Sequence, residues 1–164
     1  MGRIINLYFL TATKGLCAAQ TGIYSTIDSG KTWQVIDTSN GQGNDVYFLD
    51  QQHGYFINEK GFGSTTDGGI TWERVPLNVP GKLHVLFTKP LTGFITTTSH
   101  GLLKTTDGGK TWKVIGTEGC DGGIYFVNEQ KGWLSTSCKL LQTEDGSLSY
   151  SLVYSSRSVF APKG

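Results

Sequence analysis

The 164 residues carry a formal charge of +1, with 14 Lys and Arg against 13 Asp and Glu, and only 16% of them are charged. So even a balance argues against nucleic acid or an acidic surface as partner. No apolar run approaches membrane-spanning length, and three cysteines (Cys17, Cys120 and Cys138) are too few and too unevenly placed for a disulfide scaffold.

The first predicted element, Ile4 to Leu10, follows Arg3 and has the look of a short signal peptide, with Gly15-Leu16-Cys17 faintly like a lipoprotein cleavage site. Its apolar run is too short, however, and Lys14 interrupts the approach to the cysteine. It also stands in register with later segments: Phe9, Phe48, Phe87 and Phe126 are 39 residues apart, as are Gly15, Gly54, Gly93 and Gly132. Ile4 to Leu10 is therefore expected to be a strand, and the chain to be cytoplasmic or virion-associated. Three more strands follow, Leu16 to Gln20, Ile23 to Thr26 and Thr32 to Ile36. The second set is Val46 to Leu49, Tyr55 to Asn58, Phe62 to Thr66 and Thr71 to Val75. The third is Leu83 to Thr88, Phe94 to Thr98, Leu102 to Thr106 and Thr111 to Ile115. The fourth is Ile124 to Val127, Trp133 to Thr136, Lys139 to Thr143 and Ser149 to Val153. Four-stranded units of this period are propeller blades. The 23 glycines and the 12% aromatic fraction fit short strands joined by tight turns. One all-β propeller domain is expected over 1–153, with blades at 4–41, 44–80, 82–118 and 122–153 and a tail at 154–164.

Between the third and fourth strands of each set lies one signature. It reads Thr-Ile-Asp-Ser-Gly-Lys-Thr-Trp from Thr26 to Trp33, Thr-Thr-Asp-Gly-Gly-Ile-Thr-Trp from Thr65 to Trp72, and Thr-Thr-Asp-Gly-Gly-Lys-Thr-Trp from Thr105 to Trp112. A worn copy, Thr143 to Tyr150, keeps Thr143 and Asp145 but has Ser147, Ser149 and Tyr150, which predicts a looser turn. In such a turn the Asp carboxylate accepts backbone N–H groups two or three residues on, and glycine supplies positive φ. The flanking Thr and Thr-Trp are expected to lie in strands, and the Trp to be buried. The clustered oxygens lack the ligand spacing of a calcium loop, so neither metal nor cofactor is expected.

The signature resembles the Asp-box, or BNR repeat, with the pattern Ser/Thr-x-Asp-x-Gly-x-Thr-Trp. Thr26, Asp28, Gly30, Thr32 and Trp33 match it, as do Thr65, Asp67, Gly69, Thr71 and Trp72, and Thr105, Asp107, Gly109, Thr111 and Trp112. The repeat occurs in sialidases, sortilin-type receptors, secreted glycosidases and photosystem II assembly and stability factors. The cadence from Gly54 to Trp72 is most similar to the assembly-factor branch. That resemblance implies a non-catalytic scaffold that holds a protein partner. Four blades are few for such a ring, so the chain is either a closed four-bladed ring or an arc completed by another copy.

Propeller geometry places the turn after the second strand and the connection between blades on one face, where binding residues are expected. Asn6, Asp45, His84 and Gly123 open the first strand of each blade and would ring the channel mouth. Thr21, Lys60, His100 and Cys138 sit in the second turns. The binding candidates are thus Asn6, Asp45, His84, His100 and Lys60, for a polar ligand or a partner's side chain. His53 has no evident partner in the sequence. Catalysis is not expected. Arg3, Arg74 and Arg157 are too scattered for a sialidase triad, and Asp45 and Asp121 are the sole carboxylates near the mouth for a glycosidase. Two alternatives stand beside the protein-binding scaffold: a structural subunit of a larger assembly such as a phage virion or tail, and a carbohydrate-binding or degenerate glycosidase domain.

Overall fold

The computed structural model describes residues 2–38, 43–79, 81, 83–116, 123–128, 130–136, 139–146 and 149–155. They form four antiparallel four-stranded sheets, each a meander in chain order. Blade 1 holds β1 (Ile4–Phe9), β2 (Gly15–Ala19), β3 (Gly22–Thr26) and β4 (Gln34–Asp37). Blade 2 holds β5 (Gly43–Phe48), β6 (Gly54–Asn58), β7 (Gly61–Thr65) and β8 (Glu73–Pro76). Blade 3 holds β9 (Leu83–Phe87), β10 (Gly93–Thr97), β11 (Gly101–Thr105) and β12 (Lys113–Gly116). Blade 4 holds β13 (Ile124–Phe126), β14 (Gly132–Ser135), β15 (Lys139–Thr143) and β16 (Ser151–Ser155). Among the described residues no helix is long and apolar enough to cross a membrane.

The two 39-residue series turn out to be one device. Phe9 pairs with Gly15, Phe48 with Gly54, Phe87 with Gly93 and Phe126 with Gly132 across the first two strands of each blade. A Cβ on Gly54 would fall 2.5 Å from the Phe48 ring, and one on Gly93 or Gly132 2.6 Å from its Phe. The glycine repeats because the ring needs the space a side chain would take.

The outer strands start about two residues later than expected. Thr32 and Trp33 lie outside β4, which begins at Gln34, and β8 and β12 begin at Glu73 and Lys113. The cause is the turn itself, which holds the Thr amide and hydroxyl and keeps the Thr-Trp pair out of the ladder. The last strand runs to Ser155, into the predicted tail, and residues 156–164 lie outside the described residues. Register shifts interrupt the pairing of β4, β12 and β16 with their neighbours, and β8 ends in Pro76.

The core lies between blades. Each blade presents a leading face to the blade before it and a trailing face to the blade after it. Leu16, Ala18 and Ile23 on the trailing face of blade 1 meet Val46, Phe48 and Phe56 on the leading face of blade 2. Tyr55, Ile57 and Phe62 meet Val85, Phe87, Ile95 and Leu103 in the same way, with Tyr55 stacked on Phe87. Phe94 and Leu102 meet Leu134 and Phe126. Trp72, Trp112 and Tyr150 each pack into the junction with the preceding blade. Full burial contributes roughly 2–3 kcal/mol for each core side chain, and the half-buried Trp72, Trp112 and Tyr150 contribute less. Among the described residues Trp33 packs on its own blade, against Cys17, Ala19, Tyr24 and Phe9. Blades 1 and 4 share no sheet and no core cluster among the described residues.

Candidate functional site

A four-stranded meander has two ends. The β1–β2 and β3–β4 connections of each blade meet at one end; the β2–β3 turn and the link to the next blade meet at the other. The first end carries the four signature turns and the second is the loop face.

In the first turn Thr26 Oγ1 donates to Asp28 Oδ1 at 2.8 Å and accepts the N–H groups of Asp28 and Gly30. Asp28 Oδ1 accepts the Thr32 N–H at 2.9 Å and Oδ2 the Thr32 hydroxyl at 2.6 Å. The carboxylate thus reaches four residues on, farther than expected. Thr65, Asp67, Gly69 and Thr71 repeat the pattern, as do Thr105, Asp107, Gly109 and Thr111. The worn fourth copy makes the same bonds: Thr143 donates to Asp145, which accepts the N–H and hydroxyl of Ser149. Ser149 replaces Thr without loss, because only the hydroxyl is used. Ser147 lies outside the described residues. The Thr32 hydroxyl, then its N–H, then the Thr26 hydroxyl pull the Asp28 carboxyl from 3.8 to about 2. The matching donors of Thr71 and Thr111 lower Asp67 and Asp107. These aspartates are tied into their turns. His53 is not unpartnered: its Nδ1 lies 2.8 Å from Asp50 Oδ2, and the His53 N–H leads the lowering of the Asp50 pKa.

The loop face is built differently. Asp45 is buried at the start of β5, and its Oδ1 accepts the Val46 N–H at 2.9 Å and the side-chain amide of Asn6 in blade 1. Its Oδ2 accepts the Val85 N–H of blade 3 at 3.0 Å and lies 3.5 Å from His84 Nδ1. Three of the predicted mouth residues therefore come together in one node across three blades. Gly123, the fourth, is exposed, and its carbonyl accepts the N–H and hydroxyl of Ser135.

The structure places Lys60 and His100 outside this node. His100 sits in the exposed β10–β11 turn, its ring Nδ1 2.9 Å from Ser99 Oγ and its N–H bonded to Thr97 Oγ1. Lys60 borders a crevice of about 280 Å³ beside blade 1, lined by Asp37, Asn58, Arg74, Phe56 and Phe62. Asp37 is buried, and its Oδ2 accepts Asn58 Nδ2 and Arg74 Nε, each at 3.4 Å. Arg74 also donates to the Ile36 carbonyl. Asp37, Asn58 and Arg74 were absent from the predicted site. One signal existed: Arg74 stands where the other blades carry Val35, Val114 and Leu152. Cys120, Asp121 and Cys138 lie outside the described residues.

Chemically, the crevice on the loop face offers hydrogen-bonding groups and the cations Lys60 and Arg74 rather than reactive groups. Asp45 and Asp37 are both engaged in bonds between blades. Among the described residues no three of His, Cys, Asp and Glu gather as a metal ion would require.

Comparison with known proteins follows the same line. The sequence profile of the family described as "Photosynthesis system II assembly factor YCF48" matches residues 26–118, more than half the chain. Among solved structures, one described as "YCF48 bound to D1 peptide" superposes with a TM-score of 0.71 at 22% identity, over 96% of this chain and 56% of that one. YCF48 from Cyanidioschyzon merolae superposes with a TM-score of 0.65 at 21% identity, over 92% of this chain and 56% of that one. The GH74 xyloglucanase from Xanthomonas campestris gives a TM-score of 0.73 at 13% identity, over 93% of this chain and 30% of that one. At these identities the likeness is one of fold. The chain spans little more than half the length of either YCF48 structure. No curated protein matches it.

Proposed function

The chain belongs to the photosystem II assembly factor YCF48 family, and from that premise we propose that it is a non-catalytic scaffold module that binds a polypeptide on its loop face. The carrying observation is the crevice of blade 2, where Lys60 and Arg74 stand beside buried Asp37 and Asn58. A polypeptide lying there meets the Lys60 cation for an acidic group, beside Arg74, which Asp37 holds in place, and neighbouring hydrogen-bonding side chains. Specificity in such grooves comes from a few placed polar groups on a rigid frame. The peptide complex of the YCF48 relative supports this choice of ligand class. The absence of catalysis is inferred from the engagement of Asp45 and of the signature aspartates in structural bonds.

The test is fluorescence anisotropy of a labelled D1 peptide titrated with the chain, using Lys60→Glu on the loop face and Lys31→Glu on the opposite face. Binding that falls at least tenfold with Lys60→Glu and holds with Lys31→Glu supports the proposal. No binding, or equal loss in both variants, overturns it. The likeness to GH74 enzymes favours carbohydrate as a second ligand class. Xyloglucan oligosaccharide in the same assay, with product analysis, decides that alternative and tests for residual hydrolysis. A virion-subunit role draws no support from these relatives.

A further inference from the structure

The three junctions between successive blades differ at one place, on the end that carries the signature turns. At the first, Lys14 reaches from the start of β2 to blade 2, where its Nζ bonds the Gln51 carbonyl at 3.5 Å and lies 5.3 Å from the centre of the Phe48 ring. At the third, Lys104 of β11 reaches to blade 4, donating to the Gly146 carbonyl at 2.7 Å and lying 5.5 Å from the centre of the Phe94 ring. Each lysine sets an ammonium against the backbone of the next blade, beside an aromatic ring. The second junction has no such lysine. His53 stands where blade 1 has Lys14, and its ring is bonded to Asp50; Ser64 stands where blade 3 has Lys104. A cavity of about 210 Å³ remains there, bounded by His53, Tyr55, Ser64, Glu73, Leu91 and Gly108. The glycines of the turns show the same difference. A Cβ on Gly68 would fall 2.5 Å from the Lys14 ammonium, whereas one on Gly108 would meet nothing nearer than Leu91 at 3.4 Å.

The acceptors are nonetheless in place. The Pro90 carbonyl is the counterpart of Gln51, the Gly108 carbonyl that of Gly146, and Tyr55 that of Phe94. The Pro90 carbonyl accepts the Tyr55 hydroxyl at 3.2 Å and has a second lone pair. Glu73 and Asp107 give the wall two carboxylates against one ammonium, that of Lys110. We propose that this cavity takes the side chain of a lysine supplied by a partner polypeptide, its ammonium meeting the Gly108 and Pro90 carbonyls and Glu73. The chain's own lysines supply that group at the two flanking junctions, so the repeat itself indicates the ligand class. The cavity lies between blades 2 and 3, on the end opposite the loop face, and this inference does not depend on what the loop face binds.

The experiment is a titration of the isotope-labelled full chain with Nα-acetyl-lysine amide, followed by the backbone amide signals of Leu91, Gly108 and Lys110. Saturable shifts are expected there, with an affinity roughly tenfold or more above that of the norleucine derivative, which has the stem without the ammonium. Ser64→Lys supplies the ammonium from the chain itself, as Lys104 does, and should abolish the response. His53→Lys, after the pattern of Lys14, serves if the first variant loses cooperative unfolding. Lys60→Glu should leave the response unchanged. No saturable shift, an equal response to the norleucine derivative, or a response that survives in a folded lysine variant overturns the proposal. So does loss of the response in Lys60→Glu, which would put the binding on the loop face. Tighter binding of n-pentylamine than of the lysine derivative would make a free amine the occupant and overturns it too.

Discussion

The two ends of the blades use the same residue type for opposite purposes. At the signature turns, Asp28, Asp67 and Asp107 bind donors within four residues in sequence. At the loop face, Asp45 binds donors from residues 6 and 85 and so fixes blades 1, 2 and 3 against one another. A local motif repeats because each copy is self-sufficient. The node at Asp45 has no copies, because one carboxylate serves three blades. The difference teaches that the repeated residues build the blade, while the unrepeated ones set how blades are placed.

The largest expected effect comes from breaking the node. Asp45→Ala leaves the Val85 N–H and the Asn6 amide without their acceptor, and is expected to cost about 3 kcal/mol in urea unfolding. Asp45→Asn should cost nearly as much, since its amide group turns a donor toward one of those donors. Amide exchange should rise in β1, β5 and β9 together.

Breaking a turn should stay local. Thr65→Val removes a buried hydroxyl that accepts the N–H groups of Asp67 and Gly69. A cost of about 1–2 kcal/mol is expected, with faster exchange confined to blade 2. Spread of that exchange into blade 1 or 3 would abolish the contrast.

Acid titrates the same contrast. The Asp28 pKa is depressed in the folded state, from 3.8 to about 2. Its stabilisation is therefore present in full above about pH 4 and lost as pH falls toward 2. Asp67 and Asp107 act in the same direction. Thermal unfolding followed from pH 5 to pH 2 should show a falling Tm, with a shallower fall in Thr32→Val. The smallest effect belongs to Ser29, which adopts φ 66° where the second and third turns place Gly68 and Gly108. Ser29→Gly should stabilise by about 0.5 kcal/mol in urea unfolding, relief of strain slightly outweighing the entropy of the unfolded chain.

This division also explains what could be read in advance. The Phe–Gly pairs and the signature turns were legible because they repeat and act within one blade. So was the position of Asn6, Asp45 and His84, since strand register places them at equivalent starts. That Asp45 would be buried and shared was not legible, for nothing local distinguishes it from a solvated carboxylate. The Asp37–Arg74 pair joins the outer strands of two blades 37 residues apart, and depends on how those blades are set side by side. His53 with Asp50 differs again: an i,i+3 pair in a tight turn is local and is legible in the sequence.

The register shifts at β4, β12 and β16, and the proline ending β8, fall on the strand that forms the rim of each blade. An edge interrupted by a bulge or a proline makes a poor template for a further strand. An extended polypeptide is thereby discouraged from binding through β-augmentation along the circumference. A partner polypeptide is left with the ends of the blades, which present side chains rather than backbone ladders.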